Sequence, residues 1–360
     1  MKQLLFLGLL LHFTVMKASA QTRQSSQLIE VAHFGNYQPI GVAVSHTGRI
    51  FVTFPFRQPY QYGLAEIVNG KKHPYPDAVW NVHDTLQPQN HLMNVQALWV
   101  DSQNNLWILD PANIAANGGT IAEGVKLIKV NLATNKAEHI YRFENLHPEQ
   151  TALNDMRIDT KRQLAYLSDP RLSAVIVLDL KTGKSRAVLA HTKFTNADPN
   201  FKLHIDDKDV VDGNGKPFSS NVNGIALTHD FKYFYFRAIN QTKLYRVPAQ
   251  YLADANLTDE QLAAHVENMG ETGVSHGMIA DNKGNIYLSD SPDKAIRYLT
   301  PKGELKILVQ DSRLIWPDSF AIGSDGYLYV TCSQINRTPK YNNGEDKVAY
   351  PFGLYKVKLP

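Results

Sequence analysis

Five polar side chains stand directly in front of short apolar runs in this 360-residue chain: Gln96, Asn154, Asn223, His276 and Asp318. An imidazole exchanges protons near neutral pH, so His276 is suited to act as a general acid or base. A carboxylate such as Asp318 can hold an ammonium group or share in proton transfer. Asn154 and Asn223 can donate to an oxygen on which negative charge develops. Taken singly, Asn and Asp before a strand are ordinary turn residues. Taken together they form a candidate site, with His276 and Asp318 as catalytic residues and Gln96, Asn154 and Asn223 as ligand-binding residues, if the fold brings them to one opening. Arg57, in the aromatic stretch "VTFPFRQPYQYG", and Trp316, in "LIWPDSF", complete the ligand-binding set. Aromatic side chains there can stack on a flat ligand or attract a cation, although covering the ends of strands is their commoner use.

The fold must supply the opening. Six segments overlay on one another: "GVAVSHTGRIFVTF" (41–54), "ALWVDSQNNLWILD" (97–110), "DMRIDTKRQLAYLSD" (155–169), "GIALTHDFKYFYFR" (224–237), "GMIADNKGNIYLSD" (277–290) and "SFAIGSDGYLYVTC" (319–332). Each is an apolar strand, a polar turn and a second strand rich in aromatic and β-branched residues, the pattern of a β-hairpin. The turn markers Gly48, Asn104, Arg162, Phe231, Gly284 and Gly326 are separated by 56, 58, 69, 53 and 42 residues. Most hairpins are followed by a second strand pair, as in "KLIKVNLATNKAEHIYRF" (126–143). Four strands recurring at this interval predict an all-β, six-bladed β-propeller with four-stranded blades. "GLYKVKL" (353–359) is a third strand without a fourth, and "QLIEVAHF" (27–34) resembles the missing partner. The N-terminal strand is therefore expected to complete the last blade and close the ring, which leaves no open sheet edge at the seam. Helix should be scarce, with "LTDEQLAAHVENM" (257–269) the best candidate and Thr258 its N-cap.

In such a ring the first strand of each blade lines the central channel. The residues before the six hairpins, with Ile40 as the sixth, share its mouth. Asp110, Asp169 and Asp290 end second strands and should lie on the same face. They either make that mouth acidic or serve as turn residues before Pro or Ser-Pro.

Bulk properties narrow the partners. The formal net charge is +3 with 20% charged residues, and no run of like charges occurs, which argues against nucleic acid. Residues 1–20 read as a signal peptide: Lys2, an apolar run and "ASA", with cleavage expected after Ala20. The mature chain, 21–360, is expected to be one secreted or periplasmic propeller domain, monomeric, with no membrane span. Its single cysteine, Cys332, allows no internal disulfide and no cysteine-based metal site. No cofactor and no metal are expected.

The segments 39–57, 95–112, 165–191, 222–239 and 275–336 resemble the yellow/major royal jelly protein family, above all through "IGVAV…RIFVTFP" and "SDP…VIVLDLKTGKS". The resemblance implies a secreted six-bladed propeller. It also implies a link either to dopachrome conversion, an isomerase activity, or to binding of biogenic amines in the central channel. A more distant resemblance is to gluconolactonase-type propellers, which bind a divalent metal through a glutamate, asparagines and an aspartate at the channel. Asn154 and Asn223 match that set in type, whereas Ile40 and His276 stand where the carboxylates are expected.

The expected function is binding of a small aromatic amine or catechol-type ligand in the channel, with tautomerisation of a dopachrome-like substrate by proton transfer as the candidate chemistry. Binding without chemistry stays open beside it. The alternatives are a metal-dependent lactonase of gluconolactonase type and a non-catalytic scaffold.

Overall fold

The computed structural model describes residues 24–114 and 119–360. The expected signal peptide and its cleavage position after Ala20 lie outside them. Six four-stranded antiparallel sheets form the ring. Blade 1 runs through Val42–Val44, Ile50–Thr53, Leu64–Val68 and Lys71–Pro74; blade 2 through Ala97–Val100, Asn105–Asp110, Lys126–Asn131 and Lys136–Tyr141. Blade 3 contains Asp155–Asp159, Leu164–Asp169, Ala174–Asp179 and Ser185–Val188, and blade 4 Val222–Leu227, Tyr233–Ala238, Lys243–Pro248 and Glu267–Glu271. Blade 5 consists of Met278–Ala280, Ile286–Asp290, Ala295–Leu299 and Leu305–Gln310. Blade 6 takes Pro317–Ile322, Tyr327–Cys332 and Gly353–Lys358 from the C-terminal part of the chain, and its outermost strand is Ile29–His33. The closure expected from the sequence is therefore the observed one.

Each blade packs both faces against its neighbours, so the middle strands are buried on both sides. Leu106, Trp107, Ile108 and Leu109 in succession are 0–3% exposed, which explains why such strands read as unbroken apolar runs. The layer between blades 2 and 3 brings Leu109 and Leu127 against Met156 and Leu167. The layer at the seam joins Val42 and Val52 of blade 1 to Ala321 and Leu354 of blade 6.

The hairpin turns need left-handed backbone. Gly48, Asn104, Phe231, Gly284 and Gly326 all have positive φ; in blade 3 that conformation falls on Gln163 instead of Arg162. The helical expectation at 257–269 is met only in its first part. Thr258 caps Asp259–Ala263 with a full capping box, but Glu267–Glu271 is the outer strand of blade 4, paired with Lys243–Pro248. Completing the sheet outweighs helix propensity there.

All innermost strands start at one face. The loops that join second to third strands, and each blade to the next, gather at that face too, among them 54–63, 189–221 and 333–352. The loop 189–221 carries the small hairpin His204–Ile205 with Lys208–Asp209 and is tied to blades 5 and 6. Asp206 pairs with Lys294 at 2.6 Å and Arg337 at 3.3 Å. Leu203, Ile205 and Val210 of this loop pack with Val274 and Trp316 beside the mouth. Among the described residues no helix is long and apolar enough to cross a membrane.

Candidate functional site

The mouth is held by a repeated local device. The residue that follows each mouth position is small in five blades (Gly41, Ala97, Gly224, Gly277 and Ser319) and Asp155 in the sixth. A Cβ on Gly41, Gly224 or Gly277 would meet the carbonyl oxygen of the next blade's mouth residue, Gln96, His276 or Asp318, at 2.8, 2.6 and 2.0 Å. Hydroxyls near the ends of second strands bind mouth-residue carbonyls as well. Thr53 Oγ1 donates to Gln96 O at 3.1 Å, Ser168 Oγ to Asn223 O at 2.7 Å, and Thr331 Oγ1 to Ile40 O. The backbone of the mouth is thus locked from blade to blade while the side chains stay free to face a ligand.

The side chains gather in three groups. In the first, Gln96 Nε2 donates to Asn154 Oδ1 at 3.3 Å, so two of the candidate amides meet. Asn223 stands apart from them, its Nδ2 donating to Ser220 Oγ at 3.4 Å. In the second, the His276 ring stacks on Trp316 with centroids 4.1 Å apart. His276 is 3% exposed, yet among the described residues neither ring nitrogen has a hydrogen-bond partner. Burial, with the nearby Arg237 guanidinium, pushes its pKa down to about 3. It is a neutral imidazole at physiological pH, not a proton acceptor poised near 7. Trp316 is itself 3% exposed and packs edge-on against Phe218, so it acts as the wall behind His276.

The third group carries the charge. Asp318 accepts from Ser333 Oγ at 2.6 Å, and burial raises its pKa to about 6. The Ser333 hydrogen bond and Arg57 pull it down, and the neighbouring Asp155 pushes it up. Arg57 donates from Nη1 to Gln38 Oε1, and Gln38 Nε2 donates in turn to Ser333 O. Arg57 is thereby linked to Asp318 through the Gln38 side chain and the backbone and hydroxyl of Ser333.

Asp155 and Arg157 were not singled out from the sequence. Asp155 heads the third aligned segment at a position that is small in the other five, and that break in the pattern was the available signal. Arg157 Nη1 binds Asp155 Oδ1 at 2.8 Å, while Nη2 reaches Met278 O on blade 5. Its guanidinium also lies 4.7 Å from the Trp99 ring of blade 2. Arg157 therefore spans the channel and floors the mouth.

The aspartates at the ends of second strands do not make the mouth acidic. Asp110 accepts from the backbone N–H groups of Met93, Asn94 and Ala112 and pairs with buried Lys126 at 3.2 Å. Asp169 accepts from Ala152, Arg171 and Leu172, and Asp290 from Asp293 N and Arg297 Nε. They are turn residues whose charge is spent on the loops. The mouth is instead balanced, two carboxylates facing two guanidinium groups.

That balance does not fit a hard divalent cation. Asp155 is already bound by Arg157, Asp318 faces Arg57, and no three His, Cys, Asp or Glu side chains converge among the described residues.

Beside the axis, between loops 54–61 and 335–352, lies a cleft of about 460 Å³. Tyr37, Phe54, Tyr60, Tyr341 and Phe352 wall it, and Arg57 lines it as well.

Several solved structures share this architecture. A gluconolactonase from Xanthomonas campestris is 12% identical, with 92% of this chain and 89% of that chain covered and a TM-score of 0.55. A luciferin-regenerating enzyme is 14% identical over 92% and 95%, with a TM-score of 0.55. The calcium-binding protein regucalcin from Agrobacterium tumefaciens is 13% identical over 91% and 93%, with a TM-score of 0.51. At these identities the likeness is one of fold. No curated protein sequence matches significantly. The family model for major royal jelly proteins matches residues 93–359, from the approach to blade 2 to the end of blade 6. This chain belongs to the major royal jelly protein family.

Proposed function

We propose that the channel mouth binds a small aromatic amine or catechol-type ligand and isomerises a dopachrome-like substrate by proton transfer, outside the cytoplasm. The observation that carries this reading is the presence on adjacent blades of Asp318, hydrogen-bonded to Ser333 with its pKa raised to about 6, and of a neutral His276 whose ring nitrogens have no partner among the described residues. A carboxyl group with that pKa is half ionised near pH 6 and can both take and return a proton. In the proposed step its carboxylate takes a proton from a ring carbon of the quinone. The electron pair shifts through the conjugated ring to the quinone oxygen, which takes up a proton, so the reaction needs no oxidant. The adjacent amides of Gln96 and Asn154 would donate to that oxygen as charge develops, Asn223 would contact the ligand elsewhere, and His276, stacked on Trp316, would orient the ring. Arg57 and Arg157 together with the two carboxylates favour a ligand carrying both an amine-type nitrogen and an acidic group over a simple cation. Chemistry is thus assigned first to Asp318, and His276 is a positioning residue.

The test is turnover of dopachrome by the mature protein alongside its Asp318→Asn and His276→Gln variants. Asp318→Asn is expected to lower kcat by about 10²-fold or more. His276→Gln is expected to raise KM more than it lowers kcat. Full activity in Asp318→Asn would overturn the assignment. Saturable stabilisation by dopamine or serotonin without turnover would make the chain a binding module. Export is tested by the mass of the protein recovered outside the cytoplasm, which should begin at Gln21.

A further inference from the structure

The cleft beside the mouth shares Arg57 with it, is otherwise built from different residues, and points to a different chemistry. Its polar centre is Arg57. The guanidinium makes one hydrogen bond among the described residues, to Gln38 Oε1, although it offers five donors. No carboxylate of the described residues pairs with it directly; the charge that acts on it, Asp318, does so at longer range. Lys340 is the second cation on the lining. The one acidic lining residue, Asp346, is committed to its own loop, accepting from Tyr350 Oη at 2.7 Å and Val348 N at 3.0 Å. The field in the cleft is therefore positive.

The walls select among anions. Tyr37, Phe54, Tyr60 and Tyr341 present ring faces and edges suited to a flat ligand. Three of those rings already meet a cation: Lys72 Nζ, which does not line the cleft, lies 3.2 Å from the Tyr37 centroid and 5.0 Å from that of Phe54, and Lys340 Nζ lies 5.2 Å from that of Tyr341. A further cation would compete with Lys72 for the same quadrupoles, whereas a planar neutral ring would not. The volume suits a single fused ring system with a short side chain.

We infer that this cleft binds a small planar aromatic acid, its carboxylate held by the fork of Arg57 and its ring lodged among Tyr37, Phe54, Tyr60 and Tyr341. A carboxylate matches the guanidinium fork bidentately, which a hydroxyl or amide cannot do. The site is separate from the proposed mouth but adjoins it through Arg57.

Calorimetric titration with indole-3-acetate, its neutral amide indole-3-acetamide, and tryptamine tests the inference. The acid is expected to bind at least about tenfold more tightly than the amide, and tryptamine more weakly than either. Arg57→Gln should erase the preference of acid over amide, Arg57→Lys should restore part of it, and Tyr341→Ala should weaken all three ligands. Equal affinity for acid and amide, an acid affinity unchanged in Arg57→Gln, or an acid affinity lost in Asp318→Asn but kept in Tyr341→Ala would overturn it. So would the absence of saturable acid binding at millimolar concentration. Dopachrome turnover and dopamine binding in the same preparation report on the mouth. Acid binding with neither of them would sink the proposed function and leave the cleft standing.

Discussion

At the scale of single residues, Asp318 and His276 tie the site to a pH dependence of stability. Their shifts have opposite signs. Asp318 moves from an ordinary 3.8 up to about 6, so between those values the folded chain holds a proton that the unfolded chain has released. Its contribution therefore falls as pH rises through that window, by up to about 3 kcal/mol. His276 moves from 6.5 down to about 3, so across that range the unfolded chain binds a proton that the folded one refuses, and stability rises with pH. The two terms oppose one another between about pH 4 and 6, and each hides the other in the parent protein. Removing them singly separates them. Relative to the parent, Asp318→Asn should gain stability progressively from pH 4 to 6, and His276→Gln should gain it progressively towards acid, each on top of a pH-independent loss of contacts. Urea unfolding at a series of pH values measures both. Parallel profiles for the parent and both variants would mean that neither group is buried as described. The sequence marked both positions but could not assign their roles. The histidine looked like the better proton carrier from its reference pKa alone, and the loop 189–221, the Trp316 stack and Arg237 around it come from segments 40 or more residues away or from another blade.

The elements explain why such groups can be held in place. Five of the six mouth carbonyls, Asn154 O being the exception, are met from the preceding blade by a glycine or a hydroxyl, so backbone precision is delivered by residues with little chemistry of their own. Gly277 is the tightest case: a Cβ there would lie 2.0 Å from Asp318 O, which is backbone and cannot swing aside. Gly277→Ala should therefore cost about 1–3 kcal/mol and displace Asp318, with loss of whatever the mouth binds. Gly213→Ala, where a Cβ meets nothing within 4 Å, is the matched control and should be neutral. Thermal melts of the two variants decide the matter, and equal melting temperatures would show that blades 5 and 6 can part at no cost. At this scale the sequence was largely legible. Hairpin periodicity placed the strands, and the glycines after Ile40, Asn223 and His276 stood in the aligned segments. The hydroxyls of Thr53, Ser168 and Thr331 stood in register too, but what they bind is on the neighbouring blade. A repeat shows what recurs within a unit, and contacts between units need the ring to be closed. Glu267–Glu271 escaped for a related reason: a polar outer strand has no apolar face to announce it, and its identity comes from the partner strand.

For the whole molecule, closure replaces the disulfides that the chain cannot form. Ile29–His33 adds the fourth strand to blade 6, and the preceding turn is pinned where blade 5 leads into blade 6. There Ser25 N donates to Asp311 Oδ2 at 2.6 Å, and Arg313 Nη2 donates to Ser25 O and Leu28 O at 3.1 and 2.9 Å. Leu28, Ala32 and Phe34 are buried at 3, 5 and 3% exposure, and their burial alone is worth about 5 kcal/mol. The seam matters to the site because blade 6 carries Asp318 and blade 1 carries Arg57, and the Thr331 hydroxyl on Ile40 O crosses between them. A chain beginning at Tyr37 should keep its six innermost strands but leave Gly353–Lys358 as a bare edge, with unpaired backbone groups open to another chain. It should unfold at lower temperature and associate in proportion to concentration, and both defects should be repaired by adding a peptide of residues 24–36 in trans. Light scattering and thermal melts with and without the peptide read the outcome. A truncated chain that stays monomeric with an unchanged melting temperature would show that interblade packing alone holds the ring. In that case the geometry joining Asp318, Arg57 and the cleft would owe nothing to the strand that the sequence placed at the far end of the chain.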